Sequence, residues 1–234
     1  MKNNLWSFGC SFTAEYHPLD NTPPNNYDRY KEYRGGNLPP VWPTILSDKL
    51  GLENKNRGIG ATSNYKIFYQ FCNFCSEIEE GDVVVVGWTH PYRFILANDT
   101  HLQDILPSVT YNEFDNKVLD YIFVNRSNQT WFQEIYHFTQ IINEMCREKG
   151  ATVFYWSFHD EILSYVSSMY NEKNDNQFIF GKDGKSIMDT LRSGIEHIAN
   201  ISEETNGVVI DSHFGEYGHE SQAEYFYNFI KNKI

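Results

Sequence analysis

The sequence predicts an α/β fold of three layers, a mainly parallel five-stranded sheet held between two layers of helices. Two observations carry that expectation. Short apolar runs rich in β-branched or aromatic residues alternate with stretches of helical spacing, the pattern of a parallel sheet covered on both faces. One of those runs, Asp82-Val-Val-Val-Val-Gly87, is apolar at consecutive positions, which suits a strand buried on both sides. A chain of 234 residues, 41% hydrophobic and 21% charged, can bury one sizeable core, and we read residues 1–234 as a single domain.

Taken in order, Leu5 to Gly9 is the first strand. A polar loop with Pro18, Pro23, Pro24 and Gly35-Gly36 leads to the first helix, Val41 to Leu50. Asn54 to Ile59 reads as the second strand, Ser63 to Ile78 as a helix and Asp82 to Gly87 as the third strand. Between Trp131 and Lys149, Ile135, Phe138, Ile141, Ile142 and Met145 recur at helical spacing, and Gly150 is placed to end that helix. Ala151 to Ser157 is the fourth strand and Gly207 to Asp211 the fifth. Glu220 to Lys233 closes the chain as an amphipathic helix with Ala223, Phe226, Tyr227 and Ile230 on one side. Residues 97–130 and 158–206 exceed the usual α/β connections and are expected to be insertions that carry some helix of their own.

Composition excludes several classes of function. The net charge is -12 and no Lys/Arg cluster interrupts it, so the chain lacks the footprint of a nucleic-acid binder. No segment is long and apolar enough to span a membrane. Leu5-Trp-Ser-Phe-Gly9 is too short for a signal-peptide core, and the expected location is cytoplasmic. The cysteines Cys10, Cys72, Cys75 and Cys146 are too sparse for a disulfide framework. Cys72-Asn-Phe-Cys75 lies in an apolar helical stretch with no second pair to complete a metal site, and reads as two buried helix positions. No metal or organic cofactor is implied, and nothing in the pattern sets the oligomeric state.

In an open α/β sheet the active residues gather past the carboxyl ends of the strands. Two such ends are suggestive together. Gly9-Cys10-Ser11-Phe12-Thr13 places a serine at a strand-to-loop turn, and Asp211-Ser212-His213 places a carboxylate beside an imidazole. Acyl transfer needs a hydroxyl, an imidazole to take its proton and a carboxylate to hold that imidazole.

Read as blocks along nearly the whole chain, these residues resemble the SGNH/GDSL hydrolases. Phe8-Gly-Cys-Ser-Phe-Thr13 is similar to their Gly-Asp-Ser block, with Cys10 in place of the Asp, and makes Ser11 the nucleophile. Asn56-Arg-Gly-Ile-Gly-Ala-Thr-Ser-Asn64 resembles the second block, in which the backbone N–H of Gly60 or of Ala61 would enter the oxyanion hole beside that of Ser11. The third block departs from Gly-x-Asn-Asp: in Gly87-Trp-Thr-His90, Thr89 stands where the Asn would donate. Losing one such donor costs roughly 3 kcal/mol of transition-state stabilisation, so a shorter hydroxyl there implies a slower enzyme or a shifted geometry.

Arg93 is expected to steady this loop or bind a substrate carboxylate, with a surface salt bridge as the plainer alternative, and Trp88 and Tyr92 to pack. The last block is Asp-x-His rather than Asp-x-x-His, which assigns Asp211 and His213 as orienting acid and general base. The rival pair is Glu216 and His219, and in the preferred register His219 is a surface residue at the start of the closing helix.

The resemblance implies a serine esterase acting on small carboxylic esters, including O-acetyl groups on carbohydrate. Two other classes stay open. One is a non-catalytic binding or structural module on the same fold, suggested by the altered third and last blocks. The other is a flavodoxin-like nucleotide or flavin binder, for which the loop after the first strand lacks the phosphate-cradling pattern and adds Glu15.

Overall fold

The computed structural model describes residues 2–15, 31, 35–97, 102–105, 128–170, 176–182, 187–192, 200–202, 207–209 and 214–234. Its elements run β1 (Asn4–Phe8), α1 (Trp42–Leu50), β2 (Glu53–Asn56), α2 (Asn64–Phe74) with a 3-10 turn at Cys75–Glu77, and β3 (Val83–Trp88). They continue with β4 (Phe94–Ala97), β5 (Leu102–Ile105), α3 (Asn128–Lys149), β6 (Thr152–Ser157) and α4 (Asp160–Ser168). Last come α5 (Ile187–Arg192), β7 (Asn200–Ser202), β8 (Gly207–Val209) and α6 (Glu216–Ile230).

The central sheet is parallel, in the order β2-β1-β3-β6. Alternation along each strand divides the core between its two faces. Trp6, Phe8, Val84, Val86, Trp88, Val153 and Tyr155 meet Ile67 and Phe71 of α2, Ile135 and Ile142 of α3, and Ile162, Leu163 and Val166 of α4. On the other face Leu5, Val83, Val85, Phe154 and Trp156 meet Trp42 and Leu46 of α1, the α5 side chains Ile187, Met188 and Leu191, and Ala223, Phe226 and Ile230 of α6. The valine run therefore supplies two side chains to each core. Each fully buried valine contributes about 1.5–3 kcal/mol, which is why β3 sits at the centre of the sheet.

Caps fix the helix ends. Gly51 follows α1 at φ 71°, and Gly150 follows α3 at φ 72° with its N–H bonded to the Arg147 carbonyl at 3.1 Å. At the amino edge of the sheet the buried Asp82 carboxylate accepts from the backbone N–H of Asn4 (2.7 Å) and of Glu79 (3.1 Å) and from Trp6 Nε1 (2.8 Å), tying β1 to the approach of β3.

Three expectations change. Among the described residues, Gly207–Val209 pairs antiparallel with Asn200–Ser202 and not with the main sheet. The position beyond β6 is instead taken by a parallel bridge from Phe178 to Tyr155, closed by Ile179 N–H on the Tyr155 carbonyl at 2.8 Å. Among the described residues, the first insertion contributes β5, paired antiparallel with β4 where the insertion begins, and the first residues of α3, and the second contributes α4 and α5. Cys72 and Cys75 are half-buried rather than buried. The Cys75 Sγ–H donates to the Cys72 carbonyl at 3.1 Å, and all four cysteines are free thiols. Ile141, expected on the apolar stripe of its helix, faces out at 44% exposure. No described helix is long and apolar enough to cross a membrane.

Candidate active site

β1 ends in a single helical turn. The Cys10 carbonyl accepts from Thr13 N–H at 2.8 Å and from Ala14 N–H at 3.0 Å, so Ser11 opens the turn at the carboxyl edge of the sheet, half-buried. The turn is that tight because residue 9 is glycine: a Cβ there would lie 2.2 Å from Thr13 Oγ1 and 2.9 Å from Thr13 Cβ. Its carbonyls are pinned from both sides, since Trp42 Nε1 donates to the Phe12 carbonyl at 2.8 Å and Asn56 Nδ2 to that of Thr13 at 2.7 Å.

The loop after β2 runs beside this turn. Arg57 N–H bonds the Ser7 carbonyl at 2.7 Å and Ile59 N–H that of Gly9 at 2.9 Å, which extends the parallel ladder past the strands. Gly58 is in van der Waals contact with the Ser11 turn, and Asn56 Oδ1 holds its N–H at 2.9 Å. Gly60 has open space where a side chain would stand. Ala61 is exposed and sits at φ 54°, in the left-handed region that an alanine enters at a cost of about 1–2 kcal/mol. Local strain thus falls on one of the two residues expected to offer an oxyanion N–H.

Past β3, Thr89 is 2% exposed and held from three directions. Asn64, the first residue of α2, accepts from Thr89 N–H at 2.8 Å and donates to the Thr89 and His90 carbonyls at 3.1 and 3.4 Å. Arg93 Nη1 donates to Thr89 Oγ1 at 3.1 Å and to the Thr62 carbonyl at 3.5 Å. The surface salt bridge weighed for Arg93 is not formed among the described residues; its side chain is half-buried and turned onto the two loops. Trp88 is fully buried and stacks on Tyr155, and Tyr92 lies edge-on to Trp131, both as packing residues.

A pair of imidazoles that the sequence reading missed lies at the same edge. His90 follows β3 and His159 follows β6, and their rings meet edge to face at 4.7 Å between centroids. Burial, then the neighbouring His159 and the Arg93 charge, push the His90 pKa down to about 4. His159 is also lowered, first by burial, with Arg93 adding to the shift and Glu161 opposing it. The strand-end rule alone points to both histidines, since each lies just past a strand. What hid them is that they are paired only by the adjacency of β3 and β6.

Asp211 and His213 lie outside the described residues. Phe214, the next residue, is described and buried, and its ring packs edge-on against Phe12 at 5.8 Å between centroids. Phe12 also lies against Phe158, with centroids 3.9 Å apart. The neighbours of Ser11, of His213 and of His159 therefore form one aromatic cluster.

His219 departs from its expected surface position. It is 4% exposed, and its Nδ1 accepts from Trp42 N–H at 3.3 Å at the start of α1. That bond makes Nδ1 the acceptor and ties the ring to the start of α1. A buried polar contact between α1 and α6 outweighs the exposure expected at a helix start.

The fold defines a class: a three-layer α/β/α sandwich around a parallel sheet. Among solved structures it is similar to the YxiM protein of Bacillus subtilis, with 14% identity and a TM-score of 0.53 over 100% of this chain and 57% of that one. The chain thus spans little more than half of the Bacillus protein. It is also similar to a protein of Desulfitobacterium hafniense assigned to the G-D-S-L family of lipolytic proteins, with 11% identity and a TM-score of 0.46 over 97% of this chain and 99% of that one. At such identities the likeness is one of fold. No family model matches the chain, and no curated protein matches it in sequence.

Proposed function

We propose that the protein is a serine esterase that hydrolyses small carboxylic esters, O-acetyl groups on carbohydrate included. The observation that carries this reading is the packing of Phe214 on Phe12, which sets the residues flanking His213 and Ser11 against each other at one edge of the sheet. Ser11 Oγ would attack the ester carbonyl carbon while its proton passes to His213, with Asp211 holding the imidazole tautomer. The negative oxygen would be met by the N–H of Ser11, by that of Gly60 or Ala61, and by the Thr89 hydroxyl. As the carbonyl re-forms, the ester C–O bond breaks and the alcohol leaves with the proton from His213. Water repeats the sequence to release the acid and restore Ser11.

The apolar face of the substrate's sugar or alcohol part would lie over the half-buried rings of Phe12 and Phe158, which Phe214 supports from the Phe12 side. The test is hydrolysis of 4-nitrophenyl acetate by the wild type, Ser11→Ala and His213→Ala, with fluorophosphonate labelling of Ser11. Both variants should lose activity while unfolding as the wild type does. An unlabelled, inactive wild type would support the alternative, a non-catalytic binding module.

A further inference from the structure

We infer that Arg93 is a positioning residue of this site: its guanidinium joins the two loops that carry the oxyanion donors and turns the Thr89 hydroxyl proton toward the reacting carbonyl. The inference rests on the esterase reading above. One nitrogen makes the joint. Arg93 Nη1 reaches Thr89 Oγ1 at 3.1 Å and the Thr62 carbonyl at 3.5 Å, and Thr62 directly follows Ala61, so the loop after β2 and the loop after β3 share a single donor.

The consequence for Thr89 follows from its inventory of hydrogen bonds. A threonine hydroxyl has one proton, and when a cation donates to its oxygen that proton is driven to the far side. Asn64 already fixes the backbone on either side of Thr89, so the hydroxyl rotor is the remaining freedom, and Arg93 removes it. Among the described residues no acceptor meets the proton so directed, although Thr89 is 2% exposed. A buried donor left unmet is costly, and an oxyanion would meet it.

Charge points the same way. The chain is strongly acidic, with a net charge of -12, yet among the described residues no carboxylate pairs with Arg93. Its field acts at the edge of the sheet, where it depresses the pKa of both His90 and His159. This role also accounts for the Thr in place of an amide: a hydroxyl polarised by a guanidinium is a stronger donor than one alone.

Steady-state hydrolysis of 4-nitrophenyl acetate, a neutral ester, by Arg93→Ala, Arg93→Lys, Thr89→Val and the double variant Arg93→Ala/Thr89→Val tests the inference. Arg93→Ala should lower kcat about 10- to 100-fold with KM changed less than about threefold, and Thr89→Val should do the same. The double variant should be no slower than the slower single one, because both remove the same oriented proton. Arg93→Lys should recover part of the rate by keeping the charge. Should Arg93→Ala fail to fold, the lysine variant and its combination with Thr89→Val carry the same comparison.

Multiplying losses in the double variant, or an unchanged kcat in Arg93→Ala, would overturn the inference. So would an effect confined to the KM of an ester bearing a carboxylate, which would make Arg93 a substrate anchor. These outcomes differ from failure of the esterase reading itself, in which the wild type would neither turn over the ester nor be labelled at Ser11, and the role of Arg93 would fall with it.

Discussion

A methyl group added at Gly58 is the sharpest probe of how the Ser11 turn is held. A Cβ at that position would stand 2.5 Å from Ala14 N, 2.7 Å from the Thr13 carbonyl carbon and 2.8 Å from Ala14 Cα. All three atoms are backbone, so no side chain can swing away. Reaching an ordinary contact of about 3.4 Å requires the loop after β2 and the Ser11 turn to separate by roughly 0.9 Å. Overpacking of this kind costs about 1–3 kcal/mol and should lower Tm by roughly 4–8 °C at the middle of that range. A displacement near 1 Å at a reacting group costs on the order of 100-fold in rate.

Gly58→Ala is therefore expected to lose on the order of 100-fold in rate while the folded state still dominates at assay temperature. Tm by calorimetry and kcat on 4-nitrophenyl acetate measure the two effects, with Gly60→Ala as the stability control, since nothing lies within 4 Å of a Cβ there and Tm should hold. A Gly58→Ala protein with wild-type Tm and kcat would show that the two loops are not in contact as described.

Asp82→Ala strips the acceptor from Trp6 Nε1 and from the backbone N–H of Asn4 and Glu79, and should cost about 3–5 kcal/mol in urea unfolding. Because Asp82 lies at the amino edge of the sheet, away from Ser11, kcat per folded molecule should not change. The depressed His90 pKa predicts an acid sensitivity of definite sign. Below the ordinary histidine value of 6.5 the unfolded chain takes up a proton that the folded chain refuses until about pH 4, so stability falls progressively through that window and levels off beneath it. Tm measured from pH 7 to 4 should fall less steeply in His90→Gln than in the wild type, and parallel curves would contradict the assignment.

Much of the framework was legible because it depends on local pattern. Four valines in a row fit a strand with two buried faces, and the structure divides them between the two cores as that requires. Gly150 after a helical stripe ended α3 as expected, because a positive φ is open to glycine at little cost. Less legible were the elements with weaker patterns. The Gly207 strand has the composition of a sheet strand, but β-propensity does not choose a partner, and among the described residues its partner is β7.

Within the candidate site, the sequence by itself determined the kinds of group available: a serine after β1, glycines after β2, and a threonine and an arginine after β3. Tertiary structure alone decided their relations, because hydrogen bonds such as Asn64 to Thr89 and Arg93 to both Thr89 and Thr62 join separate loops. Burial of His219 beneath the start of α1 was likewise invisible, since it depends on Trp42, distant in sequence and adjacent only once α1 packs on α6. Spacing along a chain encodes which face a residue takes, whereas the distance between two loop ends is set by the order in which strands pair, β2-β1-β3-β6.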